Sequence, residues 1–237
     1  MGKLCADQLI GKLVALLREA DPDKFDDAVA QAKNQLTAEQ KQMKRTDLEK
    51  LFDAQIATLK NRGVPEQIVE ILQSQKDQVV KKASEMTIGD GNIPFLPVIK
   101  PAYLGYYGLM SMARNGLKEG YTYLNPVEVT DQVETPDGLY YIYDVEDGSS
   151  MRGKSPEAAE KIFKQQKRSG LTAAEVVNLC VVTDVLSRHY VWATGSRCKS
   201  AGGVPNVGPG FGGRPGLGWG HVGDSVDRWG SASCGSR

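Results

Sequence analysis

The feature that most constrains this chain is its glycine-rich C-terminal segment, residues 195–237. These 43 residues contain 13 of the chain's 26 glycines and two of its three tryptophans. Glycine permits tight turns and close backbone contacts, whereas a disordered tail would lack apolar anchors. We therefore predict that this segment is ordered and built of short strands. The predicted anchors recur at short intervals: Val204, Val207, Phe211, Leu217, Trp219, Val222, Val226 and Trp229.

The N-terminal residues have the pattern of amphipathic helices. Apolar side chains recur at three- and four-residue spacing, and capping boxes and Pro65 supply helix starts. One continuous helix is predicted from Pro65, with the apolar residues Ile68, Ile71, Leu72, Val79 and Val80. We predict helical hairpins over residues 1–88, in which residues 1–45 form an added hairpin.

The remaining residues, 89–237, mix strand and helix patterns. Residues 93–99 predict a short strand whose prolines keep it near an edge or at its ends. Residues 139–145 are rich in aromatic and β-branched residues and predict a second strand. Ser155 and Thr172 begin two helices, and the second is apolar on nearly every side, as a core helix is. We predict an α+β domain in which the N-terminal helices pack on a mixed, glycine-rich β-sheet. That sheet would combine these two strands with the C-terminal segment.

Composition and charge narrow the class of protein. The chain is 41% apolar and 24% charged, with a formal net charge of zero, so no general attraction to nucleic acid or membranes is expected. Residues 188–237 carry six basic and two acidic groups, which is a local excess of positive charge. Prolines and a lysine interrupt the most apolar window, residues 93–112, so we expect no membrane span. Four cysteines are too few for a disulfide scaffold, which predicts a reduced, cytoplasmic protein.

Cys198, Cys234, His189 and His221 are the candidate thiols and imidazoles. A zinc site normally includes two ligands about two to five residues apart, but the gaps between these four are 9, 23 and 13 residues. We therefore expect no metal site and no cofactor. A thiol and an imidazole could still meet in the fold and serve a small-molecule enzyme. The competing interpretation is that the cysteines are small core residues.

Arg197, Trp219, Trp229 and Arg237 are the candidate binding residues. Arginine recognises anions, and tryptophan supplies contact area. The leading hypothesis is a non-enzymatic interaction module, built by the C-terminal segment, for a protein partner or an anionic ligand. Basic side chains interleaved with aromatic rings also suit single-stranded nucleic acid, although the basic excess is small. An enzyme with a Cys/His pocket and a single-stranded nucleic-acid binder are therefore the alternatives.

Several stretches of the sequence are familiar as a set: Tyr141–Gly148 (YIYDVEDG), Leu171–Val176 (LTAAEV), Gly195–Cys198 (GSRC), Gly218–Trp219 and Trp229–Arg237 (WGSASCGSR). They resemble a bacterial family of uncharacterised proteins, known as a domain of unknown function. The resemblance extends over about residues 46–237. It implies that the C-terminal segment belongs to the fold, and it brings no assigned activity.

Overall fold

A computed structural model describes residues 44–199 and 202–237. Within them, Arg45–Arg237 form one compact unit. Residues 1–43, which hold most of the predicted added hairpin, lie outside the described residues, and the division at residue 88 stays a prediction. The described part combines seven α-helices with strands, which confirms the α+β class. The helices are α1 (Arg45–Asn61), α2 (Glu66–Ser74), α3 (Lys76–Glu85), α4 (Pro101–Met112), α5 (Pro156–Gln165), α6 (Ala173–Val182) and α7 (Val185–Arg188).

A mixed five-stranded sheet carries most of the C-terminal segment. Its order is β12-β8-β10-β11-β4, with parallel outer pairs and antiparallel inner pairs. Shorter ladders pair β1 with β6, β13 with β7, β2 with β3 and β5 with β9. The strands are β1 (Ile93–Val98), β2 (Arg114–Asn115), β3 (Lys118–Glu119), β4 (Tyr121–Thr122), β5 (Val129–Asp131), β6 (Tyr140–Val145), β7 (Ser169–Gly170), β8 (Tyr190–Trp192), β9 (Ser196–Cys198), β10 (Val204–Pro209), β11 (Pro215–Gly220), β12 (Trp229–Ser231) and β13 (Ser233–Cys234).

The two early strands form their own antiparallel pair instead of joining the sheet of the C-terminal segment. Pro94 and Pro97 have no amide N–H to donate, so β1 pairs with β6 alone and is an edge strand, as its prolines predict. The last residues of the chain form isolated bridges with β6 and with the residue after it, from Ser236 to Tyr143 and from Ser233 to Glu146. The strands are therefore divided among several ladders around a shared core.

The continuous helix predicted from Pro65 is divided in two at Gln75. This residue has φ −86° and ψ 0° and separates α2 from α3. Val79 and Val80 of α3 are buried in the core, while Ile71 of α2 is 50% exposed. Gln75 also donates its side-chain amide to the Leu139 carbonyl at 3.2 Å, a tertiary contact that helical spacing cannot reveal.

Helix α6 runs through the centre of the core, as its apolar sequence predicts. All residues from Ala173 to Val181 are buried. Thr172 and Glu175 close a capping box at its start. On the same helix, Asn178 accepts the Ile99 amide at 3.1 Å and donates to the Ile99 carbonyl at 3.0 Å. A buried polar side chain thus fixes the helix against the end of β1, because buried amides require hydrogen-bond partners.

Candidate functional site

The C-terminal segment is folded over its described residues, which confirms the strands predicted there. Residues of β10 and β11 pair in register from Val204 with Gly220 to Pro209 with Pro215. The absence of a side chain is required at Gly208, where a Cβ would lie 2.1 Å from the ring of Trp229. Glycine therefore lets the indole pack directly against the backbone of β10.

Both candidate arginines bind partners within the chain. The guanidinium of Arg237 lies 2.8 Å from both oxygens of Glu175, whose side chain has no solvent exposure. Arg197 pairs with Glu160 and donates at 2.9 Å to the Thr194 carbonyl. Both guanidiniums therefore already have a carboxylate partner within the chain and are poor candidates to bind an external anion.

The candidate tryptophans lie in different settings. Trp229 is half-buried, and its ring centroid lies 4.9 Å from that of Trp192 and 5.2 Å from that of Tyr190. Trp219 is 42% exposed, and its ring meets His221 edge-on at 5.9 Å. Of the four candidate binding residues, Trp219 thus keeps the most open side chain.

The candidate thiols are buried, which favours their protonated form. Burial raises the pKa of Cys234 to about 12 and also raises the pKa of Cys198. A nucleophilic cysteine needs the opposite shift. His189 is buried and lies 3.0 Å from the Asp147 carbonyl through Nε2, while His221 lies on the surface against Trp219. No hydrogen bond joins these thiols to these imidazoles in the part of the chain that the structure describes.

Residues 44–199 and 202–237 contain neither a cluster of potential metal ligands nor a membrane-spanning helix. No three His, Cys, Asp or Glu side chains there are grouped so that they could hold a metal ion. Each helix in these ranges is too short or too polar to cross a membrane.

One concave surface lined by exposed aromatic side chains is a groove of about 440 Å³, called here the aromatic groove. Helix α4 contributes Tyr107, and the 3₁₀ turn between β10 and β11 contributes Phe211. Their exposed fractions are 74% and 89%, and Tyr123, just after β4, is 93% exposed. The groove is lined by Tyr107, Tyr121, Thr122, Tyr123, Phe211 and Arg214.

Tyr121 fixes the floor of the aromatic groove. Its hydroxyl accepts the Phe211 amide at 2.9 Å, and its ring meets the Tyr123 ring edge-on at 5.7 Å. The guanidinium carbon of Arg214 lies 5.2 Å from the centroid of the Tyr121 ring. A Cβ at Gly210 would come within 2.5 Å of that ring, so glycine is required for the turn to close over it. The groove is therefore a preorganised platform.

The two cations beside the aromatic groove, Arg214 and Lys118, donate hydrogen bonds to backbone carbonyls. Arg214 donates through Nε to the Glu119 carbonyl at 2.9 Å, and Lys118 donates to the Gly212 carbonyl at 2.7 Å. These contacts tie the 3₁₀ turn to β3. They also occupy several of the N–H donors of these two cations.

Sequence reasoning found one side of this groove and missed the other. Phe211 was identified as an anchor of the C-terminal segment, but it is exposed. Tyr107, Tyr121 and Tyr123 lie up to about a hundred residues earlier in the chain. The available signal was the spacing of Tyr121 and Tyr123, because alternate residues of an extended strand share a face.

Comparisons with known proteins add one finding. A model of a family of unknown function matches residues 50–237. No curated protein and no solved structure matches the chain.

Proposed function

We propose a function from geometry, because the chain belongs to DUF5701, a family of unknown function. The protein is a non-enzymatic interaction module whose aromatic groove binds an extended, proline-rich segment of a partner protein. One observation carries this proposal: Tyr107, Tyr123 and Phe211 are 74%, 93% and 89% exposed around one groove. Grouped, exposed apolar side chains of this size are typical of interaction sites.

The chemistry of the groove favours a polyproline II ligand. Such a segment has no internal hydrogen bonds, so its carbonyls remain free to accept. The rings of Tyr107, Tyr123 and Phe211 offer flat surfaces for proline side chains, and the two tyrosine hydroxyls offer donors to the carbonyls. Because Tyr121 and Arg214 already hold the groove in shape, binding costs little ordering of the protein.

A neutral peptide fits this surface better than single-stranded nucleic acid. Phosphate recognition depends on available cations. Lys118 and Arg214 instead donate to the backbone carbonyls of Gly212 and Glu119, which leaves fewer of their N–H groups for a phosphate. The raised pKa values of Cys198 and Cys234 further support a non-enzymatic role.

We place the protein in the cytoplasm as part of the same proposal. Cys180, Cys198 and Cys234 are free thiols, as is usual in a reducing compartment. The bacterial origin implied by the sequence resemblance fits this location.

The proposal is tested by fluorescence anisotropy with the full-length chain and labelled proline-rich decapeptides. Tyr123→Ala and Phe211→Ala should each weaken binding by about tenfold, as loss of an aromatic hot spot does. Both side chains are so exposed that their loss leaves the fold intact. Leu117→Ala is the matched control: Leu117 is 96% exposed but does not line the groove, and its variant should bind as the original chain does.

A labelled oligothymidine is measured in parallel. If the chain bound only this oligonucleotide, with affinity falling steeply as salt rises, the nucleic-acid alternative would replace the peptide proposal. Peptide binding that is equal in all three variants would exclude the aromatic groove as the site.

A further inference from the structure

A second concave site lies where two helices end. This pocket, of about 360 Å³, is bordered by Arg62 just after α1, by Arg114 of β2, and by Thr183 just after α6. It shares no lining residue with the aromatic groove. Its two arginines come from elements about fifty residues apart, so the fold brings them together.

Arg62 is the unusual member of this pocket. Within the part of the chain that the structure describes, its guanidinium makes no hydrogen bond or ion pair. Arg114 pairs with Glu119 at 2.9 Å. Partial burial and the positive charge of Arg114 together lower the pKa of Arg62. Two like charges thus face one concave space, and one of them has no counter-charge among the described residues.

We propose that this pocket binds a phosphate group, either as the free ion or on a small organic molecule. A phosphate would supply the counter-charge that Arg62 lacks, and its oxygens accept guanidinium N–H groups with matching geometry. Bound phosphate would also relieve the repulsion between Arg62 and Arg114. The volume exceeds that of the ion alone, which leaves room for an attached organic group.

The other polar groups of the pocket do not satisfy Arg62. Thr58, Thr183 and Ser187 each donate their hydroxyls to backbone carbonyls of their own segments. The Asp184 carboxylate lies 3.5 Å from Arg188 and is 77% exposed. The donor capacity of Arg62 therefore remains available to a ligand.

A competing role for the arginines is compensation of the helix ends. The carbonyl ends of α1 and α6 both border the pocket and carry partial negative charge. However, Arg62 donates its side chain to none of these carbonyls among the described residues. Compensation alone therefore leaves the position of this guanidinium unexplained, and it predicts no response to phosphate.

The test is isothermal titration calorimetry, in which the full chain is titrated with inorganic phosphate and, separately, with chloride at equal ionic strength. Phosphate should bind and chloride should not. Arg62→Gln should weaken phosphate binding by about tenfold or more, because a charge-assisted hydrogen bond is lost. Lys60→Gln is the matched control, since Lys60 is an exposed cation of the same helix end outside the pocket, and this variant should bind normally.

Arg114→Gln provides a second variant in case Arg62→Gln impairs folding, which circular dichroism would report. It should also weaken phosphate binding. Glycerol 3-phosphate, titrated in parallel, distinguishes the two sources of the group: binding at least as tight as phosphate identifies a phosphomonoester ligand, and weaker binding identifies the free ion. Absence of phosphate binding, or equal binding by Arg62→Gln, would overturn the proposal.

Discussion

At the scale of single residues, Asp144 joins distant parts of the chain. Its carboxylate accepts the Gly89 amide at 2.8 Å and the Asn92 side-chain amide at 2.7 Å, and it pairs with Arg168. Arg168 in turn donates to the Ser233 hydroxyl at 2.8 Å. Burial alone would raise the pKa of Asp144, but the hydrogen bonds from Asn92, Gly89 and Arg168 outweigh it and lower the pKa.

Asp144→Asn should reduce the free energy of unfolding at pH 7 by about 3 kcal/mol, because it leaves Arg168 without its counter-charge. Asp144 has φ +52°, a conformation that asparagine tolerates and alanine does not. Asp144→Ala should therefore cost about 1 kcal/mol more.

The contribution of Asp144 to stability should depend on pH. Because the pKa of Asp144 is lowered in the folded state, its stabilisation is complete above the unfolded pKa of about 3.9 and is lost as pH falls through the folded value. Urea unfolding at pH 7 and at pH 3 measures this: a stability difference between the original chain and its Asp144→Asn variant that is equal at both values would contradict it.

Burial of the thiols leads to a second prediction at this scale. Since burial raises the pKa of Cys234 to about 12 and also raises that of Cys198, we expect both thiols to be mainly protonated at pH 8. In a Cys5→Ser background, Ellman's reagent should modify the folded chain slowly and the urea-unfolded chain at once. Rapid modification of Cys198 or Cys234 in the folded chain would instead revive the thiol-enzyme alternative.

At the scale of elements, α6 depends on its capping box. The hydroxyl of Thr172 accepts the Glu175 amide at 3.3 Å, and the Thr172 amide donates to Glu175 at 2.8 Å. Thr172→Ala should therefore be less stable than Thr172→Ser by about 1 kcal/mol. Both variants lose the buried methyl group, so the comparison isolates the cap. Equal urea midpoints for the two would mean that the hydroxyl contributes nothing.

Local patterns predicted the elements well because their causes are local. The apolar sequence of α6 and the N-cap at Ser155 required only the neighbouring residues. The break at Gln75 could not be predicted, because a contact with Leu139 accompanies it. The separate pairing of β1 and β6 likewise depends on how distant strands share a core.

At the scale of the whole molecule, contacts between distant segments also decide which site residues can be predicted from sequence. Arginine and tryptophan were reasonable candidates by residue type. Composition could not reveal that buried Glu175 binds Arg237 or that Phe211 remains exposed. Exposure is set by packing between segments far apart in sequence. The aromatic groove and the Arg62 pocket both arise from such packing.

The C-terminal segment should therefore unfold together with the core and not before it. The amides of Ser233 and Gly235 donate to Glu146 and Tyr143, and Arg237 neutralises Glu175 inside the core. In hydrogen exchange, these two amides should open with the same free energy as those of α6, as members of one cooperative unit do. Arg237→Ala should lower the free energy of opening by the same amount, about 3 kcal/mol or more, for the Ser233 and Gly235 amides and for those of α6. Exchange of Ser233 and Gly235 that is fast while α6 stays protected would show instead that the segment is held independently of the core.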